Sequence, residues 1–184
     1  MATSRGLVSR MIRAIKLQPA LYEEVEADKS ANTQAALVII IVGIATAIGA
    51  GLASLTAGGF MAALWGLLTA LLGWLLWALV VYLIGAKLMK GKATQSNWGE
   101  VARTIGFANS PGIFRLLAFI PVVGWIISIV AWIWILVAGI IGIRAALDFS
   151  ATRAVITVVI GWLVYLALML VLGMLGLGSL PLPM

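Results

Sequence analysis

The sequence predicts an all-α membrane protein, a bundle of five transmembrane helices preceded by a cytoplasmic amphipathic helix. Three observations carry this. First, 64% of the 184 residues are apolar and only 10% are charged, and the mean hydropathy is +1.17, a composition of polytopic membrane proteins rather than soluble domains. Second, charge-free runs recur that exceed the roughly 20 helical residues needed to cross a hydrocarbon core of about 30 Å. Third, the Lys and Arg residues gather between alternate runs, as they do in chains whose cationic loops stay on one side of the bilayer. Residues 1–34 are read as a cytoplasmic N-terminal region and residues 35–184 as the transmembrane domain.

Residues 5–16 wind as an amphipathic helix. At about 100° per residue, Leu7, Val8, Met11, Ile12 and Ile15 share one arc, and Arg5, Ser9, Arg10, Arg13 and Lys16 fall opposite. Such a helix is suited to lie on anionic lipid through Arg5, Arg10, Arg13 and Lys16, or to pack its apolar face on the bundle or on a second copy. The segment has no continuous apolar core and no A-x-A site, so the first span is expected to be uncleaved. Gln18–Pro19 ends the helix, and Pro19 can open a short second one containing Tyr22 and Glu24. Glu23, Glu24, Glu26 and Asp28 form an acidic patch expected to face water or lysines, with no metal site.

The first span covers about 35–55. Its small residues recur every four positions, Ala45 with Gly49 and Ala47 with Gly51, which lets a neighbouring helix approach closely and favours self-association as a homo-oligomer. The second covers about 60–84, with Trp74 and Trp77 in mid-span and expected to face the bundle, where their indole N–H groups find acceptors. A polar loop with Lys87, Lys90, Lys92, Glu100 and Arg103 follows, with Trp98 at the interface.

The third span, about 104–120, is short and contains the only cation within any span, Arg115. Pro111 withholds a hydrogen bond and frees a carbonyl one turn earlier, and Asn109 and Ser110 are placed to re-satisfy that backbone. Pro121 and Gly124 mark a tight turn inside the 28-residue charge-free run from Leu116 to Ile143, which suits a hairpin. The fourth span is about 123–143. Arg144, Asp148 and Arg153 bracket another turn, and the fifth span is about 154–173. With a cytoplasmic N-terminus and five crossings, 11 of the 12 basic residues are cytoplasmic and the twelfth is Arg115, which places the C-terminus on the outer face.

The charged N-terminus with RMIRAIKLQPALYEEVEAD, the five close spans, the motif GFANSPGIFRLLAFIP and the turn RAALDFSATRAVITVVIG together resemble bacterial members of the Yip1 (YIPF) membrane-protein family. The similarity runs from Arg10 to Gly161 and includes a third-span pattern at Gly106, Phe107 and Pro111. It implies five spans with a cytoplasmic N-terminus. In eukaryotic relatives it implies vesicle traffic, binding of prenylated Rab GTPases and oligomers. The long N-terminal region and the Asp-Leu-x-Gly-Pro motif of those relatives are absent, so the Rab activity is not carried over, and a bacterial inner membrane is the expected location.

Cys and His are absent, and no acidic residue lies inside a predicted span. Thiol and imidazole catalysis, aspartyl chemistry and the common metal and cofactor ligands are therefore not expected, so the chain reads as non-enzymatic, without cofactor or metal. Nucleic-acid binding is not expected either, because the pI of about 10.2 reflects topogenic charge. Two roles remain. In one, a membrane-organising scaffold self-associates and contacts anionic lipid. In the other, a small channel or carrier passes an anion or lipid headgroup along the broken third span. The scaffold touches lipid through residues 5–16, whereas the channel or carrier uses a candidate intramembrane anion site formed by Arg115 with Asn109, Ser110, Ser128 and Trp132. The competing structural role has Arg115 snorkelling outward, assisted by Ser128 or by a cation–π contact with Trp132.

Overall fold

The computed structural model describes residues 6–50, 57–91 and 96–174, and among these residues seven α-helices, one 3-10 helix and one π-helical turn form the bundle. The α-helices are α1 (Leu7–Ile15), α2 (Pro19–Ala27), α3 (Ala31–Gly49), α4 (Ala57–Tyr82), α5 (Trp98–Ala108), α6 (Val123–Ala146) and α7 (Ala151–Met174). The π-helical turn Leu83–Leu88 continues α4, and a 3-10 helix, Ser110–Phe119, follows α5. Among the described residues four helices are long and apolar enough to cross a membrane: Ala31–Gly49, Phe60–Leu88, Val123–Ala146 and Ala151–Leu168. Gly51, expected to pair with Ala47, lies outside the described residues, as does Arg5.

The segment read as the third span is not one regular helix. Pro111 has no N–H to give the Phe107 carbonyl, and that acceptor is taken instead by Ser110 Oγ at 2.7 Å. Asn109 Nδ2 donates to the Ile105 carbonyl at 2.9 Å. The helix therefore ends at Ala108 and the chain continues as ten 3-10 residues. With rises of about 1.5 and 2.0 Å per residue, the lengths of the two pieces sum to roughly 36 Å. The 3-10 helix is wound more tightly but rises further per residue, which adds about 5 Å over ten residues of α-helix.

Close approach fixes this segment between α3 and α6. A Cβ on Gly49 would run into the Arg115 carbonyl, and one on Gly112 would lie 2.6 Å from Val42 Cγ1. Gly106 packs similarly, with the Ala35 Cβ 2.7 Å from where its own would be. The Ala45–Gly49 face of α3 thus receives the chain's own 3-10 helix. At the other end of α5, Asn97 and Glu100 form a reciprocal cap, the Asn97 side chain accepting from Glu100 N and the Glu100 carboxylate from Asn97 N. Trp98 is exposed beside it.

The amphipathic α1 is docked, which alters how its basic face is used. Met11 and Ala14 are buried in one core with Leu21, Val25, Val38 and Phe107. Midway along α6, Trp134 donates its indole N–H to the Ile15 carbonyl at 3.0 Å and stacks on Phe114. The end of α1 therefore reaches the middle of α6. Helix α2 starts at Pro19 as expected and lays Tyr22 against Gly142 of α6, where a Cβ would sit 3.2 Å from the ring. Arg103 of α5 closes the C-terminal end of α2, with Nε on the Val25 carbonyl at 2.9 Å and Nη2 on the Glu26 carbonyl. A guanidinium on those terminal carbonyls satisfies orphan acceptors and the helix dipole together.

Candidate functional site

Three arginines are withdrawn from solvent; Arg103 closes the end of α2, and the other two, Arg10 and Arg115, meet opposite environments. Arg10 is 0% exposed. Its Nε donates to Glu24 Oε1 at 2.9 Å, its Nη1 to Gln34 Oε1 at 2.9 Å and its Nη2 to Asp28 Oδ2 at 2.6 Å. Arg13 completes the cluster with Nη1 on Glu24 Oε2 at 2.5 Å. Within the acidic patch Glu24 and Asp28 thus face arginines rather than water or lysines, correcting that expectation for these two, while Glu23 stays exposed to water. Arg10 and Arg13, read from the sequence as a lipid-contact face with Lys16, spend their donors inside the protein; Lys16 stays exposed.

The carboxylates record this pairing. Hydrogen bonds from Ser30 and then Arg10 hold Asp28 down to about 2, against a small opposing effect of burial. Burial works to raise Glu24, but hydrogen bonds from Arg13 and Arg10 outweigh it and lower its pKa. Glu26 goes the other way, pushed up to about 7 by burial and then by the charges of Asp148, Glu23 and Glu100.

Arg115 sits on the 3-10 helix, 9% exposed. Among the described residues it donates no hydrogen bond to a side chain or carbonyl and pairs with no carboxylate, while no nitrogen of its guanidinium is sealed against protein. It lines a partly open cavity of about 390 Å³ bordered by α3, α4, α5, α6 and α7. The walls are apolar and aromatic, with Trp74, Trp77, Trp132 and Trp162 among them. Trp132 and Trp162 meet edge to face at 6.1 Å.

The volume has a local cause. On α4, Gly66 and Gly73 lie seven residues apart on one stripe, and Gly139 faces them from α6. A Cβ added at any of the three would meet nothing within 4 Å. Two of the neighbouring polar groups are engaged: Thr69 Oγ1 donates to the Trp65 and Gly66 carbonyls, and Trp74 Nε1 to the Ala102 carbonyl at 2.9 Å; Thr46 and the indoles of Trp77, Trp132 and Trp162 also line the wall.

The expected site set is therefore divided. Asn109 and Trp132 line the cavity with Arg115, but the Asn109 amide is committed to Ile105. Ser110 gives its hydroxyl to Phe107, and Ser128 gives its own to the Gly124 carbonyl at 2.8 Å, so neither has a free donor for an anion. No Arg115–Trp132 cation–π pair forms; the two such contacts among the described residues are Lys87 with Tyr82 and Arg153 with Phe149. Of the third-span motif, Gly106 provides close contact with α3, Phe107 is a core side chain and Pro111 breaks the helix.

Sequence reasoning missed the glycine-cut cavity and the partners of Arg10. The Gly66–Gly73 spacing was readable but lies in a span rich in small residues, and the Arg10 cluster requires knowing how α1 folds back on α2.

Compared with known proteins, residues 17–173 match the family profile described as the Yip1 domain. No curated protein and no solved structure matches the chain.

Proposed function

The chain belongs to the Yip1 family, and we propose that within it the protein is a non-enzymatic, membrane-organising protein that holds an anionic group inside the bilayer at Arg115. The observation that carries this reading is a nine-tenths-buried arginine whose guanidinium has no partner among the described residues, on the wall of a cavity. An ionised side chain at membrane depth costs at least about 2.5–3.5 kcal/mol, and leaving its donors unmet adds to that cost. An incoming anion removes both penalties.

In this reading the third predicted segment crosses as the α5 and 3-10 pair, giving five spans in a bacterial inner membrane with the N-terminus cytoplasmic and the C-terminus outside. Grouping of the basic residues between alternate spans supports that orientation. Contact with anionic lipid then runs through Arg115 more than through the basic face of α1. A homo-oligomer has to use faces other than Ala45–Gly49, which the 3-10 helix already occupies.

The test is retention of lipid through extraction in mild neutral detergent. The parent protein should retain anionic over zwitterionic lipid, and Arg115→Ala should lose that preference while remaining folded. Equal retention by parent and variant would contradict the reading. The carrier reading uses the same guanidinium and is separated by liposome flux: anion transport lost in Arg115→Ala favours it, and no flux by the parent across a broad solute panel counts against it.

A further inference from the structure

We infer that the cavity takes an amphiphile, an alkyl or acyl chain carrying one phosphate or carboxylate, with the head on Arg115 and the chain along the Gly66–Ala70–Gly73 trough of α4. This rests on the anion reading above and adds the identity of the rest of the ligand.

The lining sets the chemistry. Arg115 is its one charged residue, and Thr69 and Trp74 have no donor to spare. An inorganic anion entering here exchanges its full hydration shell for one guanidinium and a few neutral donors, Thr46 and the indoles of Trp77, Trp132 and Trp162, scattered over a mostly apolar wall. An anion on an alkyl chain presents only its head to the fork, which matches phosphate and carboxylate alike. Its remaining atoms then meet apolar walls.

The shape agrees. Packed interiors carry few voids larger than a water molecule, whereas about 390 Å³ is left open here, a volume within the range of small-molecule sites. Three glycines without a neighbour within 4 Å of an added Cβ account for the empty width, and tryptophans flank it. The guanidinium is the second, independent feature: without it the trough is only a gap, and with it the gap has a charged end.

The experiment uses full-length, delipidated protein in neutral detergent and two probes, inorganic phosphate and decyl phosphate, with binding read by tryptophan fluorescence and thermal shift. The parent should bind decyl phosphate saturably and at least about tenfold more tightly than inorganic phosphate, since each methylene buried contributes severalfold in affinity. The double variant Gly66→Leu, Gly73→Leu should bring decyl phosphate down to the inorganic phosphate level and leave inorganic phosphate unchanged. Equal affinity of the parent for both probes overturns the amphiphile and leaves the anion reading standing, and so does a trough-filled variant that binds decyl phosphate like the parent. Unchanged decyl phosphate binding by Arg115→Ala overturns both. The two-probe ratio of the parent decides even if the double variant does not fold.

Discussion

Arg10 and Arg115 are both buried arginines, and nearly everything that distinguishes structure from site in this protein can be read from their difference. Arg10 meets two carboxylates and an amide, so its charge is compensated where it lies and joins α1, α2 and α3. Arg115 meets open volume and no carboxylate. A charge with partners holds the fold together. A charge without them is a cost that the fold bears, and a ligand of opposite sign relieves it.

The largest expected effect is on stability, and it should fall on one arginine only. Arg10→Ala leaves Asp28 without its cation and Glu24 with Arg13 alone, and should cost about 3 kcal/mol. Arg115→Met removes an uncompensated charge and should leave stability unchanged or raise it, by up to about 3 kcal/mol. Unfolding in detergent measures both, and equal losses would erase the distinction.

Next comes the backbone under Arg115. Gly49→Val forces a side chain against the Arg115 carbonyl and should cost about 1–3 kcal/mol, with a parallel loss of anionic-lipid retention because the 3-10 helix shifts. Retention unaffected by this change would detach the site from its seat on α3.

Titration should touch the Arg10 side of the comparison. Asp28 and Glu24 have lowered pKa values when folded, so the folded state binds fewer protons than the unfolded one as pH falls. Their contribution is present above the ordinary carboxylate range and is lost on descending from about 4 towards 2, the folded value of Asp28. Arg10→Met should flatten that descent. Glu26 has the opposite sign: its raised value of about 7 gives stability that is fully present below the ordinary Glu range and lost as pH rises through 7, a slope that Glu26→Gln should abolish.

The smallest effect concerns a buried polar group that does not line the cavity. The Tyr22 hydroxyl has no partner among the described residues, yet it is neutral and packed against α6. Tyr22→Phe should stabilise by about 1 kcal/mol and leave anion binding unchanged. A change in binding would mean that orphaned polar groups alone do not identify the site.

Much of the helical framework could be read from the sequence, because lipid imposes simple rules of length and apolarity. Pro19 opening α2, Trp74 facing the bundle and Ser110 re-satisfying the backbone at Pro111 all follow from local chemistry and appear in the structure. What local chemistry could not supply is how distant segments meet. The amphipathic pattern of α1 is the same whether its basic face lies on lipid or folds back on Glu24 and Asp28; the turn at Leu17, with φ of 54°, brings about the second. The break at Pro111 was readable, but not the run of ten 3-10 residues beyond it, since their winding is set by packing between α3 and α6. The cavity depends on which faces of α4 and α6 oppose one another, and glycine spacing within one helix does not tell.

The most direct measurement is nitrogen-15 NMR of the arginine side chains in delipidated protein, titrated with decyl phosphate. The Arg115 guanidinium resonances should move saturably, while those of Arg10 stay where its carboxylates already hold them. Movement of Arg10 in step with Arg115, or an Arg115 signal unchanged at saturating ligand, would contradict the account.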